Sequence, residues 1–252
     1  MEEIEVHELK QVNLKKPIAI EGLPGVGNVG KLVAEHIIQE LDAEKIIEIY
    51  SWHFPPQVLV NNDGTVHLCK NEIYAWKSKK QDLLIITGDQ QSITNEGHYL
   101  ITERLLDIAQ QYDVARIYTL GGYGIGQLVE KQMVLGATNE LELVDEMKQY
   151  GVEFREEEPG GSIVGASGLL LGLGKLRGFP AVCLLGLTSG YLVDPLSAQA
   201  VLKVLCQALD LKIDMQALEE RAEEMERVVE RLKEMERAQI PRHREEELGY
   251  IR

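Results

Sequence analysis

Apolar residues near the start of the chain occur in two different spacings. The run from Pro17 to Ile20 is short and continuously apolar, which predicts a buried strand. After a glycine-rich stretch between Gly22 and Gly30, apolar residues recur at intervals of three and four, which predicts an amphipathic helix from Val29 to Leu41. Lys45 to Tyr50 then predicts a second strand. The chain therefore opens as a β–α–β unit.

Between Val58 and Trp76 the pattern changes to the alternation of apolar and polar residues that is typical of a strand with one solvated face. Asn62-Asp63-Gly64 is a turn signal, and it separates Val58–Val60 from Val66–Leu68. We expect this region to be an antiparallel insertion or an edge of the sheet.

From Leu83 onward strands and helices alternate again. The predicted strands are Leu83–Thr87, Ala115–Leu120 and Val182–Leu187, and the predicted helices are Ile93–Tyr112, Glu140–Tyr150 and Pro195–Leu209. Repeated β–α alternation predicts an α/β fold with a mostly parallel sheet, covered by helices on both faces. We assign residues 1–213 to this one domain.

Residues 214–240 predict one long charged helix, with Asp214 as its N-cap and Pro241 as its stop. Its apolar residues follow the spacing of a heptad seam, namely Met215, Leu218, Ala222, Met225, Val229 and Leu232. Two interpretations remain open, because a helix with so short a seam needs packing for stability. The helix lies on its own domain, or its seam joins subunits. Residues 241–252 predict a flexible tail.

The charge balance of the chain limits the classes of partner that we expect. The chain has 252 residues with 26 Lys and Arg against 41 Asp and Glu, a formal net charge of −15. Such a chain repels phosphate backbones and anionic lipid surfaces, so we expect neither nucleic acid nor membrane as a partner. The most apolar stretch, Ile163 to Val193, is interrupted by Lys175 and Arg177 and reads as buried core rather than a membrane span.

The three cysteines indicate a reducing compartment. Cys69, Cys183 and Cys206 are odd in number, widely spaced and without a CxxC motif, which argues against a disulfide framework. The first ten residues also lack the basic and apolar segments of a secretory signal. We therefore expect a cytoplasmic protein.

The glycine-rich stretch contains a motif with two interpretations. Gly25, Gly27 and Gly30 match G-x-G-x-x-G between a strand and a helix, which is the context of a dinucleotide site, and Glu48 follows where a ribose-binding acid would stand. The alternative is a tight turn that needs glycine for its backbone conformation. Pro24, which the dinucleotide motif does not require, favours the tight turn. A Walker A interpretation is weaker still, because Leu32 stands where a Ser or Thr would bind Mg²⁺.

Other residues offer little for catalysis or metal binding. Asp89 follows a buried strand, and together with Glu96 and His98 it could supply acid–base chemistry at the carboxyl edge of the sheet. No nucleophile accompanies them, however, and the sequence around Ser167 lacks the last glycine of G-x-S-x-G. Metal-ligand spacing is also absent from the sequence. We therefore predict no catalytic residue, no cofactor and no metal.

The glycine-rich opening resembles that of a known family. The stretch from Gly22 to Gly30 is similar to the opening signature of the proteasome assembly chaperone family in its archaeal homologues, related to the second eukaryotic assembly chaperone. The pattern continues in Thr87–Gln90, Gly121–Tyr123, Gly165–Leu171, Pro180–Leu187 and the helix after Asp194-Pro195. The resemblance covers roughly residues 16–213, nearly the whole α/β body.

The resemblance implies a fold and a function. The fold would be similar to nucleoside phosphorylase-like proteins without an established catalytic centre, and the chain would form a homo-oligomer, for which we expect a tetramer. Its partners would be the α subunits of the archaeal proteasome core particle, which it would bind as an assembly chaperone or an activator-like factor. The alternative function is a nucleotide- or nucleoside-binding enzyme that uses the Gly25–Gly30 turn and the Asp89 region.

The resemblance also implies how the partner is bound. Proteasome-binding members and activators dock by C-terminal tails that end in a hydrophobic residue, Tyr and any residue. Here Tyr250 stands third from the end, one position from that pattern, with Gly249 before it. The docking residues implied by the tail are Leu248, Tyr250, Ile251 and Arg252.

Overall fold

The protein is described from a computed structural model, which covers residues 2–155 and 161–239. Within these residues the strands are β1 Ile4–Glu8, β2 Ile18–Glu21, β3 Glu44–Ser51, β4 Val58–Val60, β5 Val66–Leu68, β6 Asn71–Trp76, β7 Leu83–Gly88, β8 Arg116–Gly124, β9 Val134–Thr138 and β10 Ala181–Thr188. The helices are α1 Val29–Glu40, α2 Asn95–Gln111, α3 Leu141–Lys148, α4 Ala166–Leu176, α5 Pro195–Leu209 and α6 Gln216–Gln239.

Eight of the strands form one central sheet in the order β1-β3-β6-β7-β2-β8-β10-β9. The four neighbours β7, β2, β8 and β10 are parallel to one another. β1, β6 and β9 pair antiparallel with the strands beside them, so five strands run one way and three the other. The predicted α/β class is confirmed, and the sheet is mixed around a parallel centre because β6 returns between β3 and β7.

Helices cover both faces of the sheet, as predicted. On one face, α2 and α4 pack over a core that includes Leu105, Leu106 and Leu170. On the other face, α1, α3 and α5 enclose a core that includes Val33 and Leu202, and Leu218 of α6 joins this second core. The sheet is the middle of three layers, and its parallel centre is buried on both sides.

The region from Val58 to Trp76 contains the predicted antiparallel insertion. β4 and β5 form a hairpin that is a separate two-stranded sheet, while β6 enters the interior of the main sheet. Three elements were not predicted from the sequence, namely β1, β9 and α4. Cys69, Cys183 and Cys206 are all buried free thiols.

Candidate functional site

The glycine-rich turn connects β2 to α1 at the carboxyl edge of the parallel strands, where ligands bind in open α/β sheets. Gly27 and Asn28 both lie in the left-handed region, with φ of 62° and 51°. The Asn28 side chain makes no capping hydrogen bond to α1. The turn thus has the position that the dinucleotide interpretation requires.

Backbone contacts account for the glycines of this turn and its neighbours. A Cβ at Gly30 would lie 2.1 Å from the carbonyl oxygen of Leu120 on β8, and a Cβ at Gly22 would lie 2.2 Å from the carbonyl oxygen of Gly30. At Gly122, the carbonyl oxygen of Val26 would be 2.3 Å away. Since no side chain fits at these distances, the glycines allow α1 and the turn to lie directly on β8. Close packing therefore explains Gly22, Gly30 and Gly122 without a ligand, whereas a Cβ at Gly25 would have space.

Hydrogen bonds from other parts of the chain also occupy the turn. The Gln91 side chain donates to the carbonyl oxygen of Pro24 at 2.7 Å and accepts from the backbone N–H of Ala166, at the start of α4, at 3.0 Å. The backbone N–H of Asp194, before α5, donates to the carbonyl oxygen of Gly27 at 2.9 Å. These bonds tie the turn to α4 and α5, as expected for a tight structural turn.

Glu21, the last residue of β2, is a buried carboxyl that sequence reasoning missed. It has no exposed surface, and it accepts hydrogen bonds from the N–H of Leu23 at 3.0 Å and from the hydroxyl of Ser167 at 2.9 Å. Burial raises the pKa of this carboxyl to about 7, although the two hydrogen bonds favour its charged form. The signal in the sequence was an acid that ends an otherwise apolar strand.

Glu48 does not take the position of a ribose-binding acid, so that expectation was wrong. It lies on β3, and β7 and β6 stand between β3 and β2, so Glu48 is not on the strand beside the turn. Its carboxylate contacts Lys70 and accepts from Lys45 at 3.1 Å and from the Tyr50 hydroxyl at 2.9 Å. Burial alone would raise the pKa of Glu48, but these bonds outweigh it and lower the pKa to about 2. Glu48 belongs to an ion-pair network on the sheet.

Asp89, Glu96 and His98 are not brought together as an acid–base group. Asp89 accepts from the backbone N–H of Lys70 at 3.2 Å, and its carboxylate lies 3.4 Å from the ring of His67. Glu96 and His98 lie in the first turn of α2, where burial lowers the pKa of His98. Among residues 2–155 and 161–239, no hydrogen bond or ion pair joins the three side chains.

The structure describes only part of the apolar seam that was predicted for the long helix α6. Leu218 and Ala222 are buried, Met215 packs against the core, and Met225 is partly buried. The Oδ1 atom of Asp214 accepts from the backbone N–H of Gln216, the first residue of α6, at 2.9 Å, so Asp214 stands one residue before the N-cap position that was predicted for it. The side chains of Val229 and Leu232 lie outside the description, as do all four predicted docking residues, Leu248, Tyr250, Ile251 and Arg252.

The described part of the chain offers neither a metal centre nor a membrane anchor. Residues 2–155 and 161–239 contain no group of three His, Cys, Asp or Glu side chains placed to hold a metal ion. None of the helices within the same ranges combines the length and the hydropathy needed to cross a membrane.

Both the sequence and the fold match proteins of one family. The PAC2 family profile matches residues 19–233. An uncharacterized protein of Methanocaldococcus jannaschii is 42% identical over 243 residues, covering 94% of this chain and 93% of that protein.

Two crystal structures from Pyrococcus furiosus share the fold. PbaB, described as an archaeal proteasome activator, is 43% identical with a TM-score of 0.88, over 92% of this chain and 100% of that one. PbaA, described as an archaeal homolog of proteasome-assembly chaperone, is 28% identical with a TM-score of 0.75, over 92% of this chain and 94% of that one. The resemblance seen in the sequence is confirmed, and the chain belongs to the PAC2 family.

Proposed function

We propose that this protein is a non-enzymatic proteasome assembly chaperone or activator-like factor, which binds the α subunits of the archaeal core particle. The observation that carries the proposal is the match to PbaB in both sequence and fold across nearly the whole chain. The glycine-rich turn supports the non-enzymatic part, because Gly30 packs directly on β8 and the carbonyl oxygens of Pro24 and Gly27 are bonded within the chain. The three free cysteines fit a cytoplasmic setting.

We further propose that binding depends on the C-terminal tails of a homo-oligomer, with a tetramer as the expected state. A single short tail pays an ordering cost when it binds, so its affinity is low. Several tails on one assembly raise the apparent affinity through effective concentration. The terminal carboxylate of Arg252 would pair with a basic residue of the receiving pocket. In this proposal α6 presents the tail, and the α/β body makes the contacts between the subunits of the oligomer.

The test measures binding of purified archaeal α-subunit rings to three forms of the protein. These are the full chain, a chain that lacks residues 248–252, and Tyr250→Ala. We expect both variants to bind at least tenfold more weakly, with unchanged circular dichroism and unchanged oligomer mass. Tyr99→Ala is the matched control, because Tyr99 is 54% exposed on α2, and it should bind like the full chain. Equal binding by the truncated chain would remove the tail from the mechanism, and no binding by the full chain would overturn the function.

A further inference from the structure

The β4–β5 hairpin exposes one entirely aliphatic face. Val58 lies opposite Leu68, and Val60 lies opposite Val66, so these four side chains share a face. They are exposed to 51%, 49%, 73% and 58%, respectively. Together they form an uncharged apolar patch on one face of the hairpin, and such patches on a protein surface are often functional.

The other face of the hairpin already has its contacts. Leu59 packs against the main core, and the His67 ring lies 3.4 Å from Asp89 and 2.8 Å from the Asn61 side chain. The turn is closed by a bond of 2.8 Å from the Asn61 N–H to the Thr65 carbonyl oxygen. The hairpin is therefore fixed in this orientation, and its aliphatic face cannot turn inward.

An isolated two-stranded hairpin is marginally stable in water, and it gains stability when an apolar face packs on another element. Trp52, which precedes the hairpin, is 64% exposed, and Ile93 is 63% exposed and bonded through its N–H to the carbonyl oxygen of His53. Both are exposed apolar side chains on two segments that the bond between Ile93 and His53 joins.

The charge distribution indicates which kind of molecule covers the aliphatic face of the hairpin. The chain carries a net charge of −15, yet the only charged residue between Val58 and Leu68 is Asp63, in the turn. Two copies of so acidic a chain repel one another, and that repulsion is smallest where they meet through a surface without charge. Aliphatic surfaces without charged groups are also typical of homodimer interfaces, whereas transient interfaces are more polar.

We propose that the aliphatic face of the β4–β5 hairpin packs on the same face of a second copy, in a two-fold contact that builds the homo-oligomer. The proposal rests on the homo-oligomer of the proposed function and assigns its interface. In a two-fold contact both copies use the same patch, so one substitution acts on both sides of the interface at once. The α6 seam and the tail have no part in this contact.

The test is the mass in solution, measured by light scattering during size exclusion. Val60→Glu should reduce the oligomer to a smaller species with unchanged circular dichroism, because it places like charges at the contact. Leu176→Glu is the matched control, since Leu176 is 83% exposed on α4, and it should keep the wild-type mass. Mixing Val60→Glu with Val60→Lys should restore association. The Val60→Thr/Val66→Thr double variant keeps good strand formers and should also weaken the assembly.

The outcomes separate the interface from the function. A wild-type chain that is monomeric would overturn both the interface and the oligomer. A wild-type oligomer whose mass is unchanged in Val60→Glu and in the threonine double variant would overturn the interface alone. Binding to α-subunit rings is read separately from the tail deletion, so its failure would not be confused with either result.

Discussion

The hydroxyl of Ser167, at the start of α4, donates a hydrogen bond of 2.9 Å to Oε2 of Glu21, a carboxyl with no exposed surface at the end of β2. This bond links the parallel centre of the sheet to a helix on one face. Because burial raises the pKa of Glu21 to about 7 from its ordinary 4.5, the folded state holds a proton that the unfolded state releases. The free energy of unfolding should therefore fall as the pH rises from about 4.5 to 7.

Glu21→Gln should remove this pH dependence, because the amide keeps an acceptor and has no proton to lose. At pH 8 we expect the variant to be more stable than the wild type by up to about 3 kcal/mol, and near pH 5 the difference should be small. Urea unfolding of both proteins, at four pH values between 5 and 8, measures this difference in the free energy of unfolding. A difference that does not change with pH would show that Glu21 keeps its ordinary pKa in the fold.

Gly30 and Gly172 form a matched pair for testing the packing of the glycine-rich turn. Gly30→Ala places a methyl group 2.1 Å from the Leu120 carbonyl oxygen, so α1 must move away from β8, at a cost of about 2 kcal/mol or more. Gly172→Ala, on α4, meets no heavy atom within 4 Å and should stabilise the protein by about 1 kcal/mol. Thermal and urea unfolding report both changes. Equal effects at the two sites would contradict the packing explanation.

The ion-pair network around Glu48 should stabilise the fold near neutral pH and lose this effect in acid. The pKa of Glu48 is lowered to about 2 in the fold, so its stabilisation is complete above its ordinary value of 4.5 and is lost as the pH falls toward 2. Glu48→Gln should cost on the order of 1 kcal/mol at pH 6 and almost nothing near pH 2. Lys70 keeps Glu72 as a partner at 2.9 Å in this variant.

The control for this experiment is Glu142→Gln, which removes one negative charge from an exposed position in the first turn of α3 and should cost only roughly 0.3 kcal/mol, through the helix dipole. Denaturant unfolding of both variants between pH 2 and 6 gives the comparison. If Glu142→Gln lost as much stability at pH 6 as Glu48→Gln, the network would have no specific role.

Nucleotides should not stabilise this protein, because the carbonyl oxygens of Gly25 and Gly27 are bonded within the chain and Gly30 packs directly on β8. We expect NAD, ATP and adenosine to leave the melting temperature unchanged at millimolar concentration. A ligand present at a hundredfold excess over its Kd would add about 2.7 kcal/mol to the free energy of unfolding. A reproducible rise with any of the three would revive the nucleotide-binding alternative.

The sequence predicted the elements whose periodicity is clear. The spacing of Val33 and Ile37 gave α1, and the continuous apolar run from Leu83 gave β7, each within two residues of the observed bounds. α4 was missed because Ala166–Leu176 is apolar on nearly all sides and contains three glycines, so no helical period stands out. β9 was missed because it is only five residues long and has Gly136 at its centre. It forms a strand because it pairs with β10.

The candidate site was less predictable than the fold, since it depends on which strands become neighbours. Glu48 seemed suitable for a ribose because β3 follows α1 in sequence, but β6 and β7 enter the sheet between β3 and β2. The acid at the end of an apolar strand was the one signal for Glu21, and it did not predict burial, which results from α4 closing over the end of β2. Contacts between distant parts of the chain determine both outcomes, and local patterns carry no information about them.

The contact between Gly30 and the Leu120 carbonyl has an evolutionary consequence. A residue that cannot be exchanged without displacing a strand is held in place by folding alone, whatever the protein does. The glycine motif would therefore persist through divergence after any ancestral activity was lost.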